Sequence, residues 1–266
     1  MRYRRDGFTM IELIVCIFVI SILVSLIAPA ISAARESASR MTCASRLRQV
    51  GVACISYHDS YGFLPDTFRN GPSFPIDSGW GPHAKLLPYI EEQNLYMSLD
   101  FDRQTGDWVN RSILQKQVNL FACPSDGRYP QYSAYLPSLS NSVASINMVF
   151  SEPVVADHSE TRIAKISDGT SNTFLGGERK IQKFGPVTLC GVLADDTAYS
   201  PDTQPTLPAI EETRPGSHVT IHGRFDSYHH GGSQFVMCDG SVRLVANEID
   251  GAAFEAMGSP NLNDLF

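Results

Sequence analysis

Residues 6–12 read Asp6-Gly7-Phe8-Thr9-Met10-Ile11-Glu12, and the chain then continues as LIVCIFVISILVSLIAPAI from Leu13 to Ile31. These last 19 residues carry no charge. At 1.5 Å per residue they form a helix of about 28 Å, close to the roughly 30 Å hydrocarbon core of a bilayer. An ordinary secretory signal has an apolar stretch of only about 7–15 residues. Ile31-Ser32-Ala33 has the small residues of a cleavage site, but a signal peptide has no use for an acid at the head of its apolar run. Glu12 stands at that position. An ionisable side chain inside a membrane segment is costly and by default marks a function with a partner charge. The segment therefore predicts a membrane-spanning helix with a working carboxylate near one end.

Arginines flank the span on both sides. Arg2, Arg4 and Arg5 precede it, while Arg35, Arg40, Arg46 and Arg48 follow, so the count of basic residues does not by itself orient the helix. The second group reads as a solvated helix face attracted to headgroups. Cys43, Leu47, Val50, Cys54, Tyr57 and Tyr61 recur at helical spacing and draw one apolar stripe. The span is thus expected to continue as a stalk helix that Gly62 and Pro65 stop.

The rest reads differently. Residues 84–99 suggest a short helix. NLFAC, VASINMVF, TFLGG, VTLCGVL, HVTIH, SQFVMC and SVRLVA are short β-rich runs. Asp239-Gly240, between Gln234–Cys238 and Ser241–Ala246, is a two-residue hairpin signal. Residues 201–215 read as a polar loop. A helix followed by strands gives an α+β fold class: a long N-terminal transmembrane and stalk helix packed on an antiparallel β-sheet body.

Composition narrows the function. Hydrophobic residues make up 43% and charged residues 18% of the 266, as expected of a folded domain. Without residues 1–7 the chain keeps 18 basic and 27 acidic residues, a net charge of −9, so no nucleic acid is expected as a partner. Six cysteines are present. Cys43 and Cys54 would lie about 16 Å apart on one helix and cannot pair, although either could reach a body cysteine. No cysteine spacing resembles a zinc site, and no GxSxG, HExxH or P-loop occurs. We therefore expect no enzyme and no cofactor. The side chains with donor chemistry are Asp168, Asn172, His229 and Asp239. Calcium is the ion their oxygens would suit, but they lack the ligand count of an EF-hand. His218, His222, His229 and His230 read as surface or turn histidines.

The block Gly7-Phe8-Thr9-Met10-Ile11-Glu12 resembles the type IV prepilin and pseudopilin N-terminus. That resemblance implies a leader (1–7) cleaved between Gly7 and Phe8, N-methylation of Phe8, and Glu12 as the fifth mature residue, acting in assembly or processing. It further implies a transmembrane helix over 8–31, a stalk helix over 32–65 and a pilin-like body over 66–266. Pro29 matches a helix kink common in pilins.

A second resemblance spans nearly the whole chain. It rests on Arg46-Leu47-Arg48-Gln49-Val50-Gly51, Tyr57-His58-Asp59, Cys123-Pro124-Ser125-Asp126, Ser167-Asp168-Gly169-Thr170-Ser171-Asn172-Thr173, and His229 ten residues before Asp239-Gly240. Together these look like a large bacterial family with a prepilin-type N-terminus and a body of unknown function, sometimes labelled solute-binding-like.

The implied partners are a prepilin peptidase/methyltransferase, membrane lipid and other pilin-like subunits. The implied location is the bacterial inner membrane with a periplasmic body. A structural or type II secretion-like component is expected. The other reading is a tethered binding module for a solute, glycan or calcium, with Trp80, Trp108 and the histidines as candidate contacts. A metal-dependent hydrolase built on His229 and Asp239 is the third.

Overall fold

The computed structural model describes residues 8–66, 80–103, 108–126, 146–151, 160–180, 187–188, 191–192 and 225–261, with Ala144, Val154 and Val155. Helix α1 runs unbroken from Met10 to Tyr61, 52 residues, or about 78 Å at 1.5 Å per residue. Thr9 caps it and Glu12 closes a capping box: Thr9 Oγ1 accepts from the Glu12 amide at 3.3 Å, while Glu12 Oε2 accepts from the Thr9 amide at 2.8 Å. Two of the amides that a helix start leaves unpaired are thereby satisfied. Pro29 lies inside α1 without ending it. Gly62 does end it, at φ 83°, a left-handed conformation that costs glycine little.

The helix has two different halves. From Phe8 to Ile31 its large apolar side chains are exposed, whereas Cys43, Leu47, Val50, Gly51, Ala53, Cys54 and Tyr57 are buried. The stripe thus docks on the body as its spacing predicts, except that Tyr61 is 57% exposed. Two of the four arginines after the span are not simply solvated. Arg40 donates to the His230 carbonyl at 2.8 Å and Arg46 to the Ala122 carbonyl at 2.7 Å. Turn and loop carbonyls that would lack a partner under the helix recruit them.

The sheet at the centre of the body holds β1 (Met148–Phe150), β2 (Phe174–Glu178), β5 (Gly232–Met237) and β6 (Val242–Ala246) in the order β1-β2-β5-β6. All three pairings are antiparallel. A separate two-residue pair joins β3 (Val187–Thr188) to β4 (Gly191–Val192). Helix α1 crosses close to β5. A Cβ on Gly51 would lie 2.8 Å from Val236 Cγ2 and 2.9 Å from Gly240 Cα. Phe174 and Phe235 stack at 4.3 Å, with Phe254 of α5 (Gly251–Gly258) 5.3 and 5.6 Å from them. Trp80, Leu86, Leu87, Leu114 and Phe121 extend the same core.

Several sequence expectations are corrected. NLFAC holds a 3₁₀ turn, Asn119–Phe121, because the Ala122 amide bonds back to the Asn119 carbonyl. Residues 84–99 form three short pieces: α2 (Pro82–Leu86), a 3₁₀ turn (Leu87–Ile90) and α3 (Gln93–Ser98). Pro88 cannot continue an α-helix, and Glu91 turns left-handed at φ 66°. Among the described residues of VASINMVF, Met148–Phe150 form the strand. The last hairpin has a three-residue loop rather than two, since the Met237 amide bonds to the Ser241 carbonyl at 2.8 Å. Gly240 takes the left-handed position of such a loop at φ 80°. Helices α4 (Trp108–Leu114) and α5 gave no sequence signal strong enough to predict them. HVTIH, the 201–215 loop and the leader lie outside the described residues.

Candidate functional site

Four chain segments converge where α1 enters the body. Cys43 lies on the buried stripe of α1. Cys123 follows the 3₁₀ turn, and its amide donates to Asn147 Oδ1 at 2.8 Å. Asn147 Nδ2 in turn donates to Asp126 Oδ2 at 3.0 Å and to the Arg179 carbonyl at 3.3 Å, so one buried amide side chain fixes the Cys123 loop. Glu178 ends β2, and its Oε2 accepts from the Gln234 amide of β5 at 3.0 Å. His229 stands in the turn before β5, its amide donating to Ser227 Oγ at 3.1 Å.

These side chains meet in the interior. The two sulfurs of Cys43 and Cys123 are 3.0 Å apart. His229 Nε2 lies 3.8 Å from Cys123 Sγ and 3.6 Å from Glu178 Oε1. On its other side, His229 Nδ1 is 2.7 Å from Oε1 of Glu36, a residue of α1 between the span and Cys43. Ser125 Oγ donates to the second Glu36 oxygen at 3.4 Å. One donor atom from each of Cys43, Cys123, Glu178 and His229 falls within 4.8 Å of every other, and all four residues are buried.

The electrostatics follow from this packing. The contact with Cys43, then the one with His229, pulls the Cys123 thiol below its ordinary value against its burial. The same contact, with burial, pushes the Cys43 thiol up and holds its proton. Burial works against protonating His229, but its bonds to Cys123 and Glu36 prevail and lift the imidazole to about 9. Burial pushes the Glu178 carboxyl up to about 7. The His229 contact keeps Glu36 below the ordinary carboxylate range.

The donor residues named from sequence fare differently. His229 belongs to this cluster and is buried, not a surface histidine, whereas its neighbour His230 is exposed. Asn172 Nδ2 donates to the Asp168 carbonyl at 3.1 Å. Asp239 Oδ1 accepts from the Ser241 amide at 2.8 Å. Both thus brace their own turns, and among the described residues neither joins a group of three metal-donor side chains. Trp80 is fully buried against Phe101, with ring centres 5.1 Å apart. The side chain of Trp108, and His218 and His222 entirely, lie outside the described residues. Among the described residues every cysteine is free: Cys16, Cys43, Cys54, Cys123 and Cys238.

Near the membrane end, Phe8 is 72% exposed ahead of the capped first turn of α1. An apolar helix that keeps its first half bare, opens on Phe8 and Glu12, and docks its second half on an α+β body defines a pilin-like, membrane-anchored protein. Residues 2–28 match the prokaryotic N-terminal methylation motif. Residues 32–252 match the family described as a protein of unknown function, DUF1559, and the chain belongs to that family. No curated protein and no solved structure matches it.

Proposed function

We propose that this chain is a pseudopilin- or minor-pilin-type subunit of the bacterial cytoplasmic membrane. It is cleaved between Gly7 and Phe8 by a prepilin peptidase, methylated on Phe8, and displays its body on the periplasmic side. The observation that carries the reading is the division of labour along α1. Its Phe8–Ile31 half buries nothing in its own body, leaving a bare apolar face for lipid and for the same half of other subunits. Its Cys43–Tyr57 half is committed to holding the head.

The capping box gives Glu12 a defined place in this scheme. Cleavage after Gly7 would create an ammonium on Phe8, one residue from the Thr9 amide that Glu12 already binds. The helix start also favours a negative charge there. Glu12 therefore stands ready to meet an ammonium, its own or that of an adjoining subunit, and a paired charge costs far less in lipid than a lone one. A body of this size suits a tip or display role better than that of a repeating major subunit.

The test is intact-mass analysis of protein purified from membranes of cells with and without a prepilin peptidase. Loss of residues 1–7 with one added methyl group, abolished without the peptidase, is expected. A retained leader in peptidase-positive cells would contradict the proposal. Pairwise crosslinking through Cys16, exposed in the span, then tells a bundled helix from a lone tether.

A further inference from the structure

We propose that Cys43, Cys123, Glu178 and His229 form a structural site for a thiophilic divalent metal, with zinc as the ion that best fits the donors. Two sulfurs, an imidazole nitrogen and a carboxylate oxygen are a zinc-type set, and thiolates discriminate against calcium and magnesium. A tetrahedral zinc ion with ligands at about 2.0–2.3 Å sets its donors roughly 3.3–3.8 Å apart. The separations of 3.8 Å from Cys123 Sγ to His229 Nε2 and 3.6 Å from His229 Nε2 to Glu178 Oε1 fall on such edges. The sulfur pair at 3.0 Å would open by less than 1 Å.

Two further observations point to a cation. His229 engages Glu36 through Nδ1 at 2.7 Å, which leaves Nε2 facing Cys123 Sγ and able to ligate once its proton is displaced. A carboxylate behind a metal-bound imidazole is the usual outer partner of such ligands. Glu178 Oε1 is buried and accepts no hydrogen bond, with His229 Nε2 standing off at 3.6 Å, which is costly for a carboxylate oxygen. Binding would displace the protons left on the sulfurs and on His229 Nε2 and give this oxygen its partner.

The same residues contain a Cys123–His229–Glu36 line like that of a thiol hydrolase, but the geometry disfavours catalysis. The Cys123 sulfur faces the Cys43 sulfur in the interior, and four protein donors fill a tetrahedral ion, leaving no position for a substrate. A Cys43–Cys123 disulfide would account for the sulfurs and leave His229 and Glu178 unexplained. The four donors come from α1, the Cys123 loop, β2 and the turn before β5, so the ion would rivet the membrane helix to the body.

The experiment uses the full-length protein in detergent, purified under reductant without chelator. Elemental analysis should find about one zinc per chain. Exchange for Co2+ should give the visible bands of a tetrahedral ion with sulfur-to-metal charge transfer. A thiol-specific mercurial should release the metal, and its removal should lower the melting temperature.

Cys43→Ser and Cys123→Ser should each remove about half of the charge-transfer intensity that the two sulfurs supply together. Glu36→Gln, which leaves all four donors in place, should retain the stoichiometry and weaken affinity by about 10–100-fold. Three results would overturn the proposal: no metal after reconstitution of reduced wild-type protein, Co2+ spectra lacking thiolate ligation, or a mass-mapped Cys43–Cys123 disulfide in the protein isolated from cells. The wild-type measurements stand even if the cysteine variants fail to fold.

Discussion

His83 should make this protein acid-sensitive by an amount set by its surroundings. Its Nε2 donates to the Met148 carbonyl of β1 at 3.0 Å. Its ring packs between Phe121 and Phe150, with centres 5.0 and 4.8 Å away, and the buried Nδ1 has no partner. Burial pushes the imidazole down to about 3. In the unfolded chain the same ring takes up a proton near pH 6.5. Because the unfolded state binds the extra proton, stability is full above about pH 6.5 and falls as the pH drops toward 3. At 1.36 kcal/mol per pH unit the loss is about 2.7 kcal/mol at pH 4.5 relative to pH 8, and approaches about 5 kcal/mol below pH 3. His83→Gln keeps a donor for the Met148 carbonyl without the titration. Urea unfolding of the full chain in detergent, followed by tryptophan fluorescence at both pH values, gives the double difference that cancels every other titrating group. The wild type should lose about 2–3 kcal/mol more than the variant on acidification. Equal losses would refute the buried neutral imidazole.

Other outcomes test the packing. Gly51→Ala should destabilise by about 1–2 kcal/mol despite the better helix propensity of alanine, because the added carbon meets the Gly240 backbone. Gly51→Val should cost more, both read as shifts in the urea midpoint. Asn147→Ala strands the Cys123 amide and takes one donor from Asp126, and should cost about 1–3 kcal/mol by the same measurement. Gly62→Ala meets no steric obstacle but a φ of 83°, so it should cost only about 1 kcal/mol, with faster limited proteolysis just after α1 as its mark.

Helix α1 was legible because two sequence patterns with different physical causes adjoin on it: an uncharged run long enough for a bilayer, then a stripe at helical spacing from Cys43 to Tyr57. The β5–β6 hairpin was legible from Asp239-Gly240, but the length of its loop was not, since Ser241 rather than Val242 supplies the carbonyl that Met237 binds. NLFAC misled because β-rich composition cannot register a tertiary demand. The Asn147 amide bonds to the Phe121 carbonyl, and the Cys123 amide is claimed by Asn147 in return. The thiol–imidazole–carboxylate cluster was invisible for a simpler reason. Cys43 and Cys123 are 80 positions apart, and Cys123 and His229 are 106, so no local spacing relates them. Cys43 left its trace only in an apolar stripe, which burial alone also explains, while Cys123 and His229 stood in separate motifs that nothing local joined.

The unbroken run of α1 through the end of the span has a mechanical consequence. With no flexible joint between the lipid-facing half and the docked half, the head cannot swivel independently of its anchor. A tilt or rotation of the helix in the bilayer is transmitted to the sheet as a lever transmits torque. The hydrogen bonds of Glu36, Arg40 and Arg46 to the body act as the collar at the fulcrum. A subunit drawn from the membrane by its helix would therefore present its head at a fixed bearing relative to the direction of pull.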